Sequence, residues 1–161
     1  MEVSSKTSTQ TPGSPFNIEP ATWLDLNAVR HVEKACFGDD SWPIFDLIGI
    51  LTFPNTVHIK AICDKRMVGF VGGDARHGDS VGWVATIGVL PEYRGRGIGT
   101  ALLAACEQAL QTPAVRLCVR ASNETAIRLY QHTGYEQVGR WTRYYNDGED
   151  AVVMEKRLKG V

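Results

Sequence analysis

Between positions 89 and 100 the chain reads Val-Leu-Pro-Glu-Tyr-Arg-Gly-Arg-Gly-Ile-Gly-Thr, with glycine at 95, 97 and 99. An apolar run from Val81 to Leu90 feeds this loop, and Pro91-Glu92-Tyr93 stops the run. The spacing predicts a buried strand, a tight loop and then a helix from about Gly97 to Leu110, with Ile98, Leu102, Ala105 and Ala109 as its apolar stripe. Glycine has no Cβ, so backbone amides in such a loop can approach an anion closely. The first helical turn adds unpaired N–H groups and the positive end of the helix dipole, which together suit a phosphate. Arg94 and Arg96 place positive charge beside it. A Walker loop needs Gly-Lys-Ser/Thr, and none follows Gly99. A dinucleotide loop is spaced G-x-G-x-x-G, whereas this one is spaced G-x-G-x-G.

The flanking pattern limits the architecture. Helical spacing from Trp23 to Cys36 predicts an amphipathic helix, followed by a turn rich in breakers from Phe37 to Pro43 and a short helix through Leu51. Strands are expected at Thr56–Cys63 and Met67–Gly73, joined at Asp64-Lys65-Arg66, with a polar turn over 76–79. Beyond the loop helix come a strand at Val115–Val119, a helix capped by Asn123 and ended by Gly134, and closing strands at Tyr135–Val138 and Ala151–Met154. Strand, helix, strand, helix order in the second half implies parallel pairing at the centre of a layered α/β domain.

The 161 residues support one domain, expected over 16–161, after a flexible Ser/Thr/Pro-rich tail over 1–15. A net charge of -1 gives no basic field for nucleic acid or an anionic membrane. The longest apolar run, Ile44 to Phe53, is too short to span a bilayer, and the first fifteen residues hold no signal-peptide core. Cys36, Cys63, Cys106 and Cys118 are too scattered for a zinc or redox pair. Free thiols and a cytoplasmic location are therefore expected.

Arg94, Gly97 and Gly99 fill the pattern Arg/Gln-x-x-Gly-x-Gly/Ala of the GNAT N-acetyltransferases. Downstream, Val119-Arg120-Ala121-Ser122-Asn123, Ala126-Ile127, Leu129-Tyr130, Gly134-Tyr135, Tyr144-Tyr145, Asp147-Gly148-Glu149-Asp150-Ala151 and Met154 resemble the ribosomal-protein-alanine N-acetyltransferase branch. The resemblance covers about 81–158; residues 16–75 match in general layout only. It implies a single GNAT domain: a mixed, mostly antiparallel sheet with a central parallel pair splayed at the cofactor site, and helices on both faces. It implies acetyl-CoA as acyl donor and no metal. Backbone groups of Ile87, Gly88 and Val89 would hold the pantetheine arm. The pyrophosphate would lie on Arg94, Gly95, Arg96, Gly97, Ile98, Gly99 and Thr100, with Asn123 and Tyr130 also touching the cofactor.

N-acetyl transfer needs a neutral amine, a stabilised oxyanion and a protonated leaving thiolate. The Val89 amide is the expected oxyanion donor, and the resemblance makes Tyr130 the general acid. The branch carries a glutamate two positions before Arg120, where this chain has Cys118. A thiol is a poor base, and a passive strand residue is the favoured reading. His77, Asp74 and Glu149 are the other candidates. Tyr144 and Tyr145, with Phe37 and Trp42, are expected to line the acceptor groove, although a tyrosine pair at a hairpin is equally ordinary packing. In the branch an arginine stands three positions before the tyrosine pair; here Trp141 stands there, preceded by Arg140. The acceptor is a primary amine, for which a protein N-terminus leads. A small-molecule amine and a non-catalytic acyl-CoA-binding module remain the alternatives, and oligomeric state is left open.

Overall fold

A computed structural model describes residues 15–75 and 80–160. The expected tail lies outside these apart from Pro15, as do the polar turn at 76–79 and His77 within it. Seven strands form one sheet: β1 Asn17–Pro20, β2 Thr56–Cys63, β3 Arg66–Asp74, β4 Val81–Val89, β5 Ala114–Arg120, β6 Glu136–Trp141 and β7 Ala151–Arg157. Their order across the sheet is β1-β2-β3-β4-β5-β7-β6. Every neighbouring pair is antiparallel except β4 and β5. Among the described residues four α-helices accompany the sheet: α1 Leu26–Phe37, α2 Ile44–Thr52, α3 Ile98–Leu110 and α4 Glu124–His132.

Two apolar cores lie on opposite faces of the sheet. On one face, α1 and α2 bury Val29, Val32, Leu47, Ile50 and Leu51 against Phe70 and Leu90. On the other, α3 and α4 bury Ile98, Leu102, Leu103, Cys106 and Tyr130 against Val68, Val71, Val115, Leu117 and Val119. Alternation along β5 therefore turns Arg116, Cys118 and Arg120 towards the α1 face. On the α3 face, Glu107 is buried; it accepts from the Tyr135 hydroxyl and from Lys156 Nζ, both at 2.9 Å. Helix, strand and the turn after α4 are tied together there.

Two expectations are corrected, and one strand is added. In α3, Ala109 is exposed and Ala105 only half-buried, while Leu103, Cys106 and Leu110 face the sheet; the larger side chains take the buried positions because they remove more apolar area from water. β4 is not buried on both faces, since Trp83, Ala85 and Ile87 stay half-exposed. β1 was not foreseen; it is a four-residue edge strand ending at Pro20, where the missing N–H is tolerated. Leu102 is fully buried and packs directly on Gly69 of β3. Leu102→Ala is expected to lower unfolding free energy by about 2–5 kcal/mol, measured by urea denaturation.

Candidate active site

The site begins with an irregularity in β4. Gly72 of β3 faces Thr86, but Gly73 faces Val84, so Ala85 is an extra residue on β4. Such a bulge bends its strand and breaks the neighbouring ladder. Accordingly, β4 pairs with β5 only from Val81–Ala114 to Trp83–Arg116, although β4 runs on to Val89 and β5 to Arg120. The two strands part like a V. On the β3 side the ladder continues, and Leu90 N–H donates to the Val68 carbonyl at 2.8 Å. Strand alternation then aims the Ile87 and Val89 amides at the open side of the V.

The glycine loop leads from the top of this V into α3. Gly95 and Gly97 sit at φ of 75° and 80°, a backbone region that favours glycine. Gly97 is the N-cap of α3 and supplies no side-chain cap, and no acid occupies the first turn. The first helical bond runs from Ala101 N–H to the Gly97 carbonyl, so the Ile98, Gly99 and Thr100 amides have no partner within the helix. Arg94 Nε donates to the Val89 carbonyl at 3.0 Å, and Arg96 lies over the Tyr93 ring. Asn123 accepts from Ala126 N–H at 3.1 Å and thereby caps α4.

Tyr145 lies near enough to Tyr130 to oppose the ionisation of its phenol. Tyr130 is the single buried residue of α4 and packs edge-on against Tyr135, with ring centroids 5.9 Å apart. Burial pushes its phenol up to about 12. Tyr145 is also pushed up to about 12, chiefly by burial and then by the neighbouring Cys118 thiol. Cys118 itself is pushed up to about 11 by burial, so it stays protonated near neutrality. Glu149 has its carboxyl held below the ordinary range, first by Ser122 and then by Arg120. Neither group is a ready base. Asp74 lies across from Trp83 at the far end of β4 from the loop.

Arg120 bridges the two sides of the groove. It bonds Asp40 in the turn after α1, Asp147 at 2.9 Å and Glu149 at 2.7 Å in the β6–β7 loop, and its guanidinium lies 4.1 Å from the Tyr145 ring centroid. Phe37 and Cys36 lie over Gly88, where a Cβ would come within 3.4 Å of Phe37 Cε2 and 2.9 Å of Cys36 Sγ. Trp42 is half-buried and packs against the core that α1 and α2 form with Phe70 and Leu90.

The Acetyltransferase (GNAT) family model matches residues 25–135. The chain belongs to that family. It is 36% identical over 138 residues to an uncharacterised N-acetyltransferase of Methanocaldococcus jannaschii, covering 83% of this chain and 86% of the relative. It is 35% identical to the N-alpha-acetyltransferase RimI of Mycobacterium tuberculosis, covering 88% and 92%. The crystal structure of the ribosomal-protein-S18-alanine N-acetyltransferase from Escherichia coli superposes with a TM-score of 0.81 at 25% identity, covering 91% and 96%. The chain is thus a GNAT enzyme, an acetyl-CoA-dependent N-acetyltransferase, and the seven-stranded sheet with its β4–β5 parallel pair is the GNAT fold.

Sequence reasoning missed Glu33. It is buried on α1, accepts from the Thr86 hydroxyl of β4, and accepts from Trp42 N–H at 3.3 Å. The signal was present: Glu33 falls in the apolar stripe of Leu26, Val29 and Cys36, where a carboxylate needs a partner. Burial raises its pKa, and its two hydrogen bonds only partly offset this. The folded acid therefore holds its proton more tightly than the unfolded one, so stability falls as pH rises from the ordinary carboxyl value through the folded pKa. Glu33→Gln is expected to remove that decline. The difference in urea midpoint between variant and wild type should then grow from pH 4 to pH 8.

Proposed function

We propose that this enzyme transfers the acetyl group of acetyl-CoA to the α-amine of a protein N-terminus by direct attack. The observation that carries this reading is the open edge of β4, with two outward-facing amides, beside the uncapped start of α3. The donor set fits the cofactor. Ile87, Gly88 and Val89 offer a strand edge to an amide-bearing pantetheine arm. Arg94 and Arg96, with the amides from Gly95 to Thr100, offer charge and N–H groups to a pyrophosphate. Asn123 Nδ2 stands at the start of α4, free of the capping bond that its Oδ1 accepts.

Val89 N–H, fixed on the strand edge, donates to the thioester carbonyl oxygen as negative charge gathers there. The new N–C bond forms while the C–S bond breaks, and Tyr130 supplies the proton that the departing sulfur takes up. A phenol held near 12 is fully protonated at neutral pH and is available for this step. Tyr144, Tyr145 and Phe37 flank the amine's approach.

With Cys118 protonated and Glu149 held in its network, the amine arrives neutral and loses its second proton to water. A protein α-amine of pKa ≈ 7.7–8.0 is neutral in roughly one molecule in seven at pH 7, against about one in 2,500 for a lysine side chain. That difference favours an N-terminus. The two relatives named as an N-alpha-acetyltransferase and a ribosomal-protein-alanine N-acetyltransferase support the same acceptor class.

Thiol release from acetyl-CoA with alanine- or serine-starting peptides, run beside polyamines and aminoglycosides, tests the acceptor; turnover of the small amines alone would refute the N-terminal reading. Tyr130→Phe is expected to lower kcat by about 10²–10⁴ with little change in acetyl-CoA affinity by calorimetry. Near-normal turnover would reduce Tyr130 to packing. Cys118→Ala is expected to keep most of the activity, with kcat/KM rising with pH along the acceptor's own ionisation. A hundredfold loss would instead make the thiolate a participant.

A further inference from the structure

The α1 face of the sheet is covered by helices over β2, β3 and β4, but no described helix covers it over β5, β7 and β6. Aromatic rings stand there instead. Trp83 on β4 stacks on Trp141 at the end of β6, with centroids 5.9 Å apart and planes 28° apart. Trp141 meets Tyr144 at 5.3 Å, and Tyr144 meets Tyr145 edge-on at 5.1 Å. The four rings form one arc of contacts, and the small, buried Ala151 and Val153 of β7 stand opposite Arg120 and Cys118 on the same face. Trp141 is 42% exposed and Tyr144 53%, so the arc presents ring surface to solvent.

The two arginines that β5 turns to this face are already matched. Arg116 Nε holds Glu155 at 2.6 Å, and Arg120 holds Asp40, Asp147 and Glu149. What this part of the face offers an incoming chain is therefore aromatic surface beside arginines that are already paired. Its position is also telling. Tyr145 is anchored on Arg120 at the end of β5, with the guanidinium 4.1 Å from its ring centroid, and Trp141 follows it through two ring contacts of 5.1 and 5.3 Å. An extended peptide advances about 3.3 Å per residue, so the rings from Tyr145 to Trp141 span about three residues beyond a bound amine.

We infer that Trp83 and Trp141 form a subsite that selects large apolar or aromatic side chains at the second to fourth positions of the acceptor. The inference rests on the N-terminal reading above. Stacking against fixed rings removes apolar area from water, whereas a carboxylate or ammonium placed there loses hydration beside arginines that are already paired.

The test compares short peptides that begin with alanine and carry leucine, lysine or aspartate at positions two to four, with kcat/KM measured at saturating acetyl-CoA. Wild type is expected to favour the leucine peptide by about tenfold or more, the usual worth of an apolar contact in a pocket. Trp141→Ala should bring that ratio towards one, mainly through KM for the leucine peptide, and Trp141→Phe should retain most of it. Trp83→Ala should act in the same direction. Peptides turned over without preference in wild type, or a loss in Trp141→Ala that is equal for all peptides, would overturn the subsite while leaving the N-terminal reading intact. Failure of every peptide beside turnover of a small amine would overturn both.

Discussion

A backbone amide that leaves a β-ladder must find another partner or remain in water. In this protein β4 loses β5 as its neighbour after Trp83, because Ala85 is one residue more than β3 can match. The consequence runs through the whole site. The antiparallel ladder to β3 holds β4 rigid on one side, while the other side keeps the Ile87 and Val89 amides open. The bulge also changes which residues face which helix layer. Before it, Val84 faces α3; after it, Ile87 and Val89 do, and Thr86 and Gly88 face α1. One extra residue thus sets both the cleft and the side chains on its walls.

Two polar clusters hold the acceptor side around that cleft by different physics. Glu33 is buried, and its carboxylate ties the start of the α2 region, through Trp42 N–H, to Thr86 just after the bulge. Its contribution lies in specifying where the loop sits, since desolvation works against the charged form. Arg120 is half-exposed and gathers three carboxylates from two separate loops, with Tyr145 stacked on it. Each of those contacts taken singly is a modest surface interaction. Together they fix the distance between the turn after α1 and the β6–β7 loop, which is the width of the groove.

The tyrosines show how local environment assigns roles. Tyr130 and Tyr145 both carry strongly raised pKa values, yet Tyr130 lies in the α3-side core and Tyr145 on the α1 face. Cys118 lies next to Tyr145 on β5, and its burial makes it a neutral part of the wall. On the proposed mechanism, the need for an already neutral amine follows from this wall more than from any one residue.

Much of this was legible in the chain itself. The glycine spacing at 95, 97 and 99 dictates a turn with left-handed backbone running into an uncapped helix, and that is a local matter of φ angles and unpaired amides. Asn123 as a cap and Gly134 as a stop are equally local. The apolar periodicities placed every helix and most strands, because burial of one face is written into spacing. The rotation of α3 that exposes Ala109 was not legible, since small residues do not reveal which way a stripe turns. Nor was the role of Glu33, Arg120 or Trp83, whose partners lie 53, 80 and 58 positions away in sequence. The sequence by itself determined the phosphate-type loop, the order of elements and the missing carboxylate at Cys118. Only the tertiary structure decided where β4 and β5 part, and which rings and charges face one another across the gap. Those contacts arise from register and sheet twist, and no short stretch of chain encodes them.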